Sequence, residues 1–196
     1  MRSYRAVNLN VLWFLIVLNL LVFVLELITG GGSVARTPLI PALGLTPIWL
    51  PKHPWTIVTS IFVHGSFTHI LFNMISLYFL GSFLIRAAGD RSFLAVFFLG
   101  GLAGNVLFAL LAHPYSTGVG ASGAIYALGG ALAVMAPRIP VLVFPIPVPV
   151  PLWAAIIIFL FLSFVPGIAW EAHLGGLLLG LVAGIILKRR RQIYYF

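Results

Sequence analysis

Ala172-His173-Leu174-Gly175-Gly176-Leu177-Leu178-Leu179-Gly180-Leu181-Val182-Ala183-Gly184 is the stretch from which the architecture can be read. Gly176, Gly180 and Gly184 recur every four residues in an apolar helix, so they line one face as a smooth ridge that admits another helix at unusually close range. His173 stands three residues ahead of that ridge, on roughly the same face. A second surface of small residues, Gly123, Ala127 and Ala131 with Gly129-Gly130 beside it, lies in an apolar segment that begins at Ser122. Packing the two segments together brings Ser122 toward His173. Gly120-Ala121-Ser122-Gly123 then has two readings: small side chains that let helices pack, or a nucleophile held between glycines.

Composition names the solvent. Of the 196 residues 62% are hydrophobic and 7% charged, with a mean hydropathy of +1.16. No soluble fold of this size has enough interior to hide that much apolar surface. Apolar segments at residues 9–28, 69–85, 93–112, 122–136, 152–165 and 173–187 mostly approach or reach a bilayer crossing as helices. The expectation is an all-α polytopic membrane protein, a bundle of six transmembrane helices with a Gly-rich contact between the fourth and sixth spans. It forms a single membrane-embedded domain over residues 1–196. The short fourth and fifth spans are expected to start or end in protein-lined cavities, where lipid-facing rules relax.

Basic residues orient the bundle. With a cytoplasmic N-terminus, Arg2, Arg5, Arg86, Arg91, Arg138 and Lys188-Arg189-Arg190-Arg191 all lie inside, nine of eleven, leaving Arg36 and Lys52 outside. Both termini are therefore expected in the cytoplasm. The net charge of +8 is spread over loops that face anionic headgroups, an orientation signal rather than a nucleic-acid footprint. The first segment has no small-residue cleavage pattern before a hydrophilic domain and is expected to stay attached. No cysteine is present, which excludes disulfides and thiol catalysis.

Two connections stand out. Residues 29–55 hold Leu39-Ile40, Trp49-Leu50 and Trp55 among prolines and glycines, and are expected to fold against the outer membrane interface. Residues 139–151 carry proline at every second position from Pro145 to Pro151, which forbids a helix and predicts an extended cytoplasmic connector.

On this topology the second, fourth and sixth spans run from outside to inside, so His69, Asn73, Ser122 and His173 meet at one depth near the outer surface. Polar groups inside a bilayer are costly unless they pair or line a wet cavity, which makes a functional site the default reading. Ser122 and His173 suit a nucleophile and its general base. Backbone amides at the start of the fourth span, with the side chains of His69 and Asn73, suit a developing oxyanion. The only acidic residues are Glu26, Asp90 and Glu171, and Asp90 falls on the cytoplasmic side, so paired carboxylates and aspartyl chemistry are excluded. His64 and His69, five apart, make a poor metal pair on a helix, and no His-Glu-x-x-His occurs. Glu171 is two positions from His173 and does not face it, so a Ser–His dyad without a carboxylate is expected. His53 and His113 read as polar groups at the membrane surface. A channel or transporter would need polar residues through the full membrane depth or an inverted repeat, and the chain has neither pattern.

His64-Gly65-Ser66-Phe67-Thr68-His69-Ile70-Leu71-Phe72-Asn73-Met74, then Gly120-Ala121-Ser122-Gly123, then Ala172-His173-Leu174-Gly175-Gly176 through Gly180 resemble the three ordered signatures of rhomboid intramembrane serine proteases. The resemblance runs from Trp55 to Gly184. It implies a six-helix core that hydrolyses peptide bonds in single-span transmembrane proteins near the outer membrane face, with no cofactor, metal or nucleic acid. It makes Ser122 the nucleophile, His173 the base, and His69 and Asn73 the oxyanion-hole side chains beside the Ser122 amide. Tyr126 matches the tyrosine that packs on the base imidazole, His64 a polar residue near the site, and Gly120 and Gly123 the glycines flanking the serine. The fifth span, with Trp153, Phe159, Phe161 and Phe164, would border the side that admits the substrate helix. Two positions depart from the pattern: Trp55-Thr56 replaces Trp-Arg, and Ile85 stands where a glutamate is common. Both family residues brace the first loop, which predicts that this loop is anchored differently here. The implied location is the plasma membrane, among lipids, as a minimal member carrying the catalytic core alone.

Overall fold

The computed structural model describes residues 8–143 and 147–190, with the side chain of Arg190 left aside. Arg2, Arg5 and Arg191 of the orientation argument, and Phe144, Pro145 and Ile146 of the proline run, lie outside the described residues. The chain is mostly helical. Helix α1 (Asn10–Thr29) leads into a connection containing the short helices α2 (Leu39–Leu43) and α3 (Thr56–Thr59). Helices α4 (Phe67–Ala88), α5 (Asp90–Leu111) and α6 (Ser122–Met135) follow. The paired strands β1 (Pro140–Val141) and β2 (Val150–Pro151) precede α7 (Leu152–Leu162) and α8 (Trp170–Arg190).

Among the described residues four helices, α1, α4, α5 and α8, are long and apolar enough to cross a membrane. Helices α6 and α7 are shorter; their 14 and 11 residues rise only about 21 and 17 Å against a hydrocarbon core of about 30 Å. Shortness is tolerable in α6 because none of its residues is exposed. It stands at the centre of the bundle, enclosed by α4, α5, α7 and α8.

Local chemistry sets the helix ends. Helix α4 begins at Phe67, two residues before the position read from hydropathy, because Ser66 caps it: its Oγ accepts the His69 N–H at 3.1 Å. Helix α7 stops at Leu162 rather than at 165, since Pro166 disfavours helical backbone at Val165. Helix α8 starts at Trp170, so His173 lies inside its first turn rather than at its tip. The proline-rich connector is extended, and its ends pair antiparallel, Pro140 with Pro151 and Val141 with Val150.

Close approach between backbones organises the interior. A Cβ built on Gly176 would run into the carbonyl oxygen of Gly123, one on Gly180 into that of Ala127, and one on Gly184 would lie 2.6 Å from that of Ala131. The adjoining face of α8 meets α5 in the same manner: a Cβ on Gly175 would sit 2.6 Å from the Ala103 oxygen, and one on Gly104 2.5 Å from the Ala172 oxygen. Helix α8 is thereby wedged between α5 and α6. Helix α1 leans on the outside of α4, with Leu12 filling the notch at Gly81. Its outward side, including Phe14, Leu21 and Ile28, is exposed and apolar, as a lipid-facing surface requires.

The first connection is folded and tied down. Glu26 of α1, fully buried, accepts the backbone N–H of His64 through Oε1 at 3.0 Å. The Thr59 hydroxyl donates to the Leu43 carbonyl at 2.7 Å, and the Trp55 indole to that of Ala42 at 3.1 Å. Leu45 and Gly118 exchange both backbone hydrogen bonds, which fixes this connection to the one between α5 and α6. Thr56, buried where the family pattern has arginine, adds to these contacts: its hydroxyl donates to the His53 carbonyl at 2.7 Å.

The wedge predicts a sharp asymmetry on α8. Gly180→Leu must separate α8 from α6 and should cost about 3 kcal/mol, the upper range for overpacking a close-packed interior. Val182→Leu, on the exposed side of the same helix, should stay within about 0.5 kcal/mol of the parent. Thermal unfolding of the detergent-purified proteins checks this: equal midpoints for Gly180→Leu and the parent would remove α8 from the α6 contact.

Candidate active site

Ser122 is the first residue of α6, and the contact of Gly176 with Gly123 draws the start of α8 against it. At that spacing His173 reaches across: its Nε2 lies 2.7 Å from Ser122 Oγ. The imidazole is buried and stacks on the Tyr126 ring, centroids 4.3 Å apart and planes inclined by 22°. Tyr126 stands one turn after Ser122 on α6, so a single helix supplies both the hydroxyl and the platform under the imidazole. The other ring nitrogen, Nδ1, lies 2.7 Å from Ser163 Oγ. Ser163, buried at the C-cap of α7, also meets the Tyr126 hydroxyl and the Phe159 carbonyl, each at 2.9 Å. Glu171 makes no hydrogen bond to His173.

The opposite wall comes from α4 and the segment ahead of α6. Gly120 has φ +108°, a left-handed conformation open to glycine, and a Cβ there would lie 2.6 Å from His69 Nε2 and 3.6 Å from Asn73 Nδ2. The backbone therefore passes directly over these two side chains. Asn73 donates one amide proton to the His69 carbonyl at 2.9 Å, and its amide carries a second. Gly120 is held from behind by its N–H bond to the Ser60 carbonyl at 2.8 Å. The amide of Asn105, on α5, in turn donates to Ser60 Oγ at 2.9 Å and to the Ile57 carbonyl at 2.7 Å. His64 packs edge-on against His69, with centroids 5.1 Å apart. Burial, reinforced by the neighbouring His69, pushes its imidazole down to about 3, so at neutral pH it is an uncharged ring.

His69, Asn73, Ser122 and His173, four polar residues singled out in the sequence, are therefore brought to one region around the start of α6, which packs against both α4 and α8, and His64 joins them through His69. A hydroxyl and an imidazole nitrogen at 2.7 Å can pass a proton between them. The first backbone N–H groups of α6 have no carbonyl one turn back to bond and lie beside the same spot. Among the described residues no group of three His, Cys, Asp or Glu could hold a metal ion. Sequence reasoning missed Ser163, although a lone hydroxyl in the run Phe159-Leu160-Phe161-Leu162-Ser163-Phe164-Val165 was a usable signal. It missed Asn105 for the same reason, a single amide in an apolar span.

Residues 51–190 match the rhomboid domain family. The chain is 32% identical over 143 residues to RHOMBOID-like protein 5 of Arabidopsis thaliana, covering 72% of this chain and 46% of that protein. It is 28% identical over 149 residues to Rhomboid-like protease 3 of Toxoplasma gondii, covering 74% and 56% respectively. It is 29% identical over 124 residues to Rhomboid protease GluP of Bacillus subtilis (strain 168), covering 63% and 24%. The chain thus spans about half of the length of these curated relatives, or less. The domain match over most of the chain, together with four helices of membrane-crossing length and apolarity, establishes an integral, multi-pass membrane protein that belongs to the rhomboid family.

Proposed function

We propose that the chain is an intramembrane serine endopeptidase that cleaves transmembrane proteins through a dyad of Ser122 and His173. The observation that carries this reading is the 2.7 Å contact between Ser122 Oγ and His173 Nε2 beside the His69 and Asn73 side chains. The word protease in the names of the Toxoplasma and Bacillus relatives supports it.

In the proposed reaction Ser122 Oγ attacks the scissile carbonyl carbon while His173 Nε2 takes its proton. The negative charge that develops on the carbonyl oxygen is met by the free amide proton of Asn73, the His69 imidazole and the Ser122 N–H. Collapse breaks the C–N bond, and the leaving nitrogen takes the proton from His173, leaving an acyl-Ser122 ester. Water then gives a proton to His173 and attacks the ester; the proton returns to Ser122 Oγ as the carboxyl product leaves. Two steps through a covalent intermediate replace one difficult step.

Helices α1, α4, α5, α6, α7 and α8 serve as six spans of a single catalytic domain, with both termini in the cytoplasm of a plasma-membrane protein. The site then opens to the outer aqueous side, and the Gly-rich face of α8 against α6 sets its spacing. Substrates are single-span helices that unwind readily at their outer ends, because a peptide in helical hydrogen bonds cannot reach Ser122. They approach along α7, whose Trp153, Phe159 and Phe161, with Phe164 just beyond it, are exposed.

A fluorophosphonate probe should label the wild type and leave Ser122→Ala unlabelled; equal labelling of both would remove Ser122 as nucleophile. His173→Ala should abolish cleavage of a labelled transmembrane peptide in liposomes. Asn73→Ala should lower kcat about 100-fold, the scale of one lost oxyanion donor. Wild-type kcat/KM in Asn73→Ala would make Asn73 a packing residue. Chelators should leave cleavage unchanged, and loss restored by zinc would overturn the serine mechanism.

A further inference from the structure

We propose that Ser163 is a positioning residue for the base: its oxygen accepts the Nδ1–H of His173 and holds the imidazole with Nε2 unprotonated toward Ser122. The inference rests on the reading of Ser122 and His173 as nucleophile and base. It follows from counting protons among three short contacts. Ser163 Oγ meets His173 Nδ1 at 2.7 Å, the Tyr126 hydroxyl at 2.9 Å and the Phe159 carbonyl at 2.9 Å. The carbonyl only accepts, so its partner proton is that of Ser163 itself. The hydroxyl oxygen keeps two lone pairs, which take the Tyr126 O–H and the His173 Nδ1–H. Every contact then holds one proton.

The other tautomer fails this count. With its proton on Nε2, His173 would need the Ser163 proton at Nδ1, and the Tyr126 and Ser163 hydroxyls would have two protons for three contacts. Two oxygens would then face each other at 2.9 Å with nothing between them, in a buried place where water cannot relieve the repulsion. Only the Nδ1–H form gives Ser122 an acceptor. When Ser122 passes its proton to Nε2, the imidazolium keeps its Nδ1–H bond to Ser163 and the Tyr126 ring face at 4.3 Å. Ser163 and Tyr126 together thus fill the structural place that a carboxylate takes in a triad, with a neutral acceptor that carries no charge into the bilayer.

The test is a tautomer measurement on the full chain, 15N-labelled at histidine, in bicelles, with His173 assigned by its absence in His173→Gln. Long-range 1H–15N spectra should give the Nδ1–H pattern for wild type and a mixture, or the Nε2–H pattern, for Ser163→Ala. Cleavage of the transmembrane peptide by Ser163→Ala should fall about tenfold in kcat with KM unchanged, the order of one neutral hydrogen bond. Ser163→Thr, which keeps the hydroxyl, should restore the Nδ1–H form. Should the alanine variant aggregate, Ser163→Cys keeps most of the volume without a strong acceptor and should give the alanine result. An unchanged Nδ1–H pattern with wild-type kcat in either variant overturns the assignment. Loss of the protease reading appears separately, as wild-type protein that neither labels at Ser122 nor cleaves.

Discussion

Everything in this molecule depends on how closely two backbones approach. Side chains ordinarily keep packed helices 8–10 Å apart, and long side chains could bridge such a gap only by giving up rotamer precision. Here Gly176, Gly180 and Gly184 lay the α8 backbone directly on the carbonyls of Gly123, Ala127 and Ala131. Without a hydrophobic force between helices in lipid, such van der Waals contact is a principal source of cohesion. It also fixes the separation of Ser122 from His173, since each stands within the first turn of one of the two helices. Stability and site geometry are therefore the same contact.

A second constraint is the cost of charge. The region around Ser122 contains three imidazoles, an amide and hydroxyls, and among the described residues the side-chain partners of His173 are the hydroxyls of Ser122 and Ser163. Neutral groups can be saturated by neutral partners, as Ser163 is by Tyr126, Phe159 and His173. Glu26 is the one buried carboxyl group among the described residues, and it accepts from the His64 backbone rather than from an imidazole. That bond ties α1 to the segment entering α4, which holds His64 against His69, the ring that lies at Gly120. The cohesion between Leu45 and Gly118 works toward the same end from the loop side.

Helix α7 occupies a different position in this economy of contacts. It is short and outwardly apolar, yet its C-cap Ser163 touches the imidazole. Movement of α7 away from α6 would withdraw a hydrogen-bond acceptor from His173, so the orientation of the ring is linked to the docking of the helix. Gly167, just beyond, is constrained by its own backbone rather than by its neighbours. Nothing lies within 4 Å of a Cβ built there, but its φ of +90° strains any other residue.

Some of this was legible in the chain because its causes are local. Composition sets the solvent, and a four-residue repeat of glycine on an apolar helix marks a face whatever the helix later meets. A serine at the head of an apolar segment, and histidine and asparagine four apart, are likewise properties of one helix. Ser163 was not legible as a partner of His173, because the chain between them turns through Pro166 and Gly167 and no helical period connects the two. Glu26 with His64, Leu45 with Gly118, and Asn105 with Ser60 are pairs of the same kind, each joining segments far apart in the chain. Periodicity tells which face of a helix is special, because neighbours on a face are fixed by the backbone itself. Only the packed structure decides which polar group from a distant turn arrives to satisfy it.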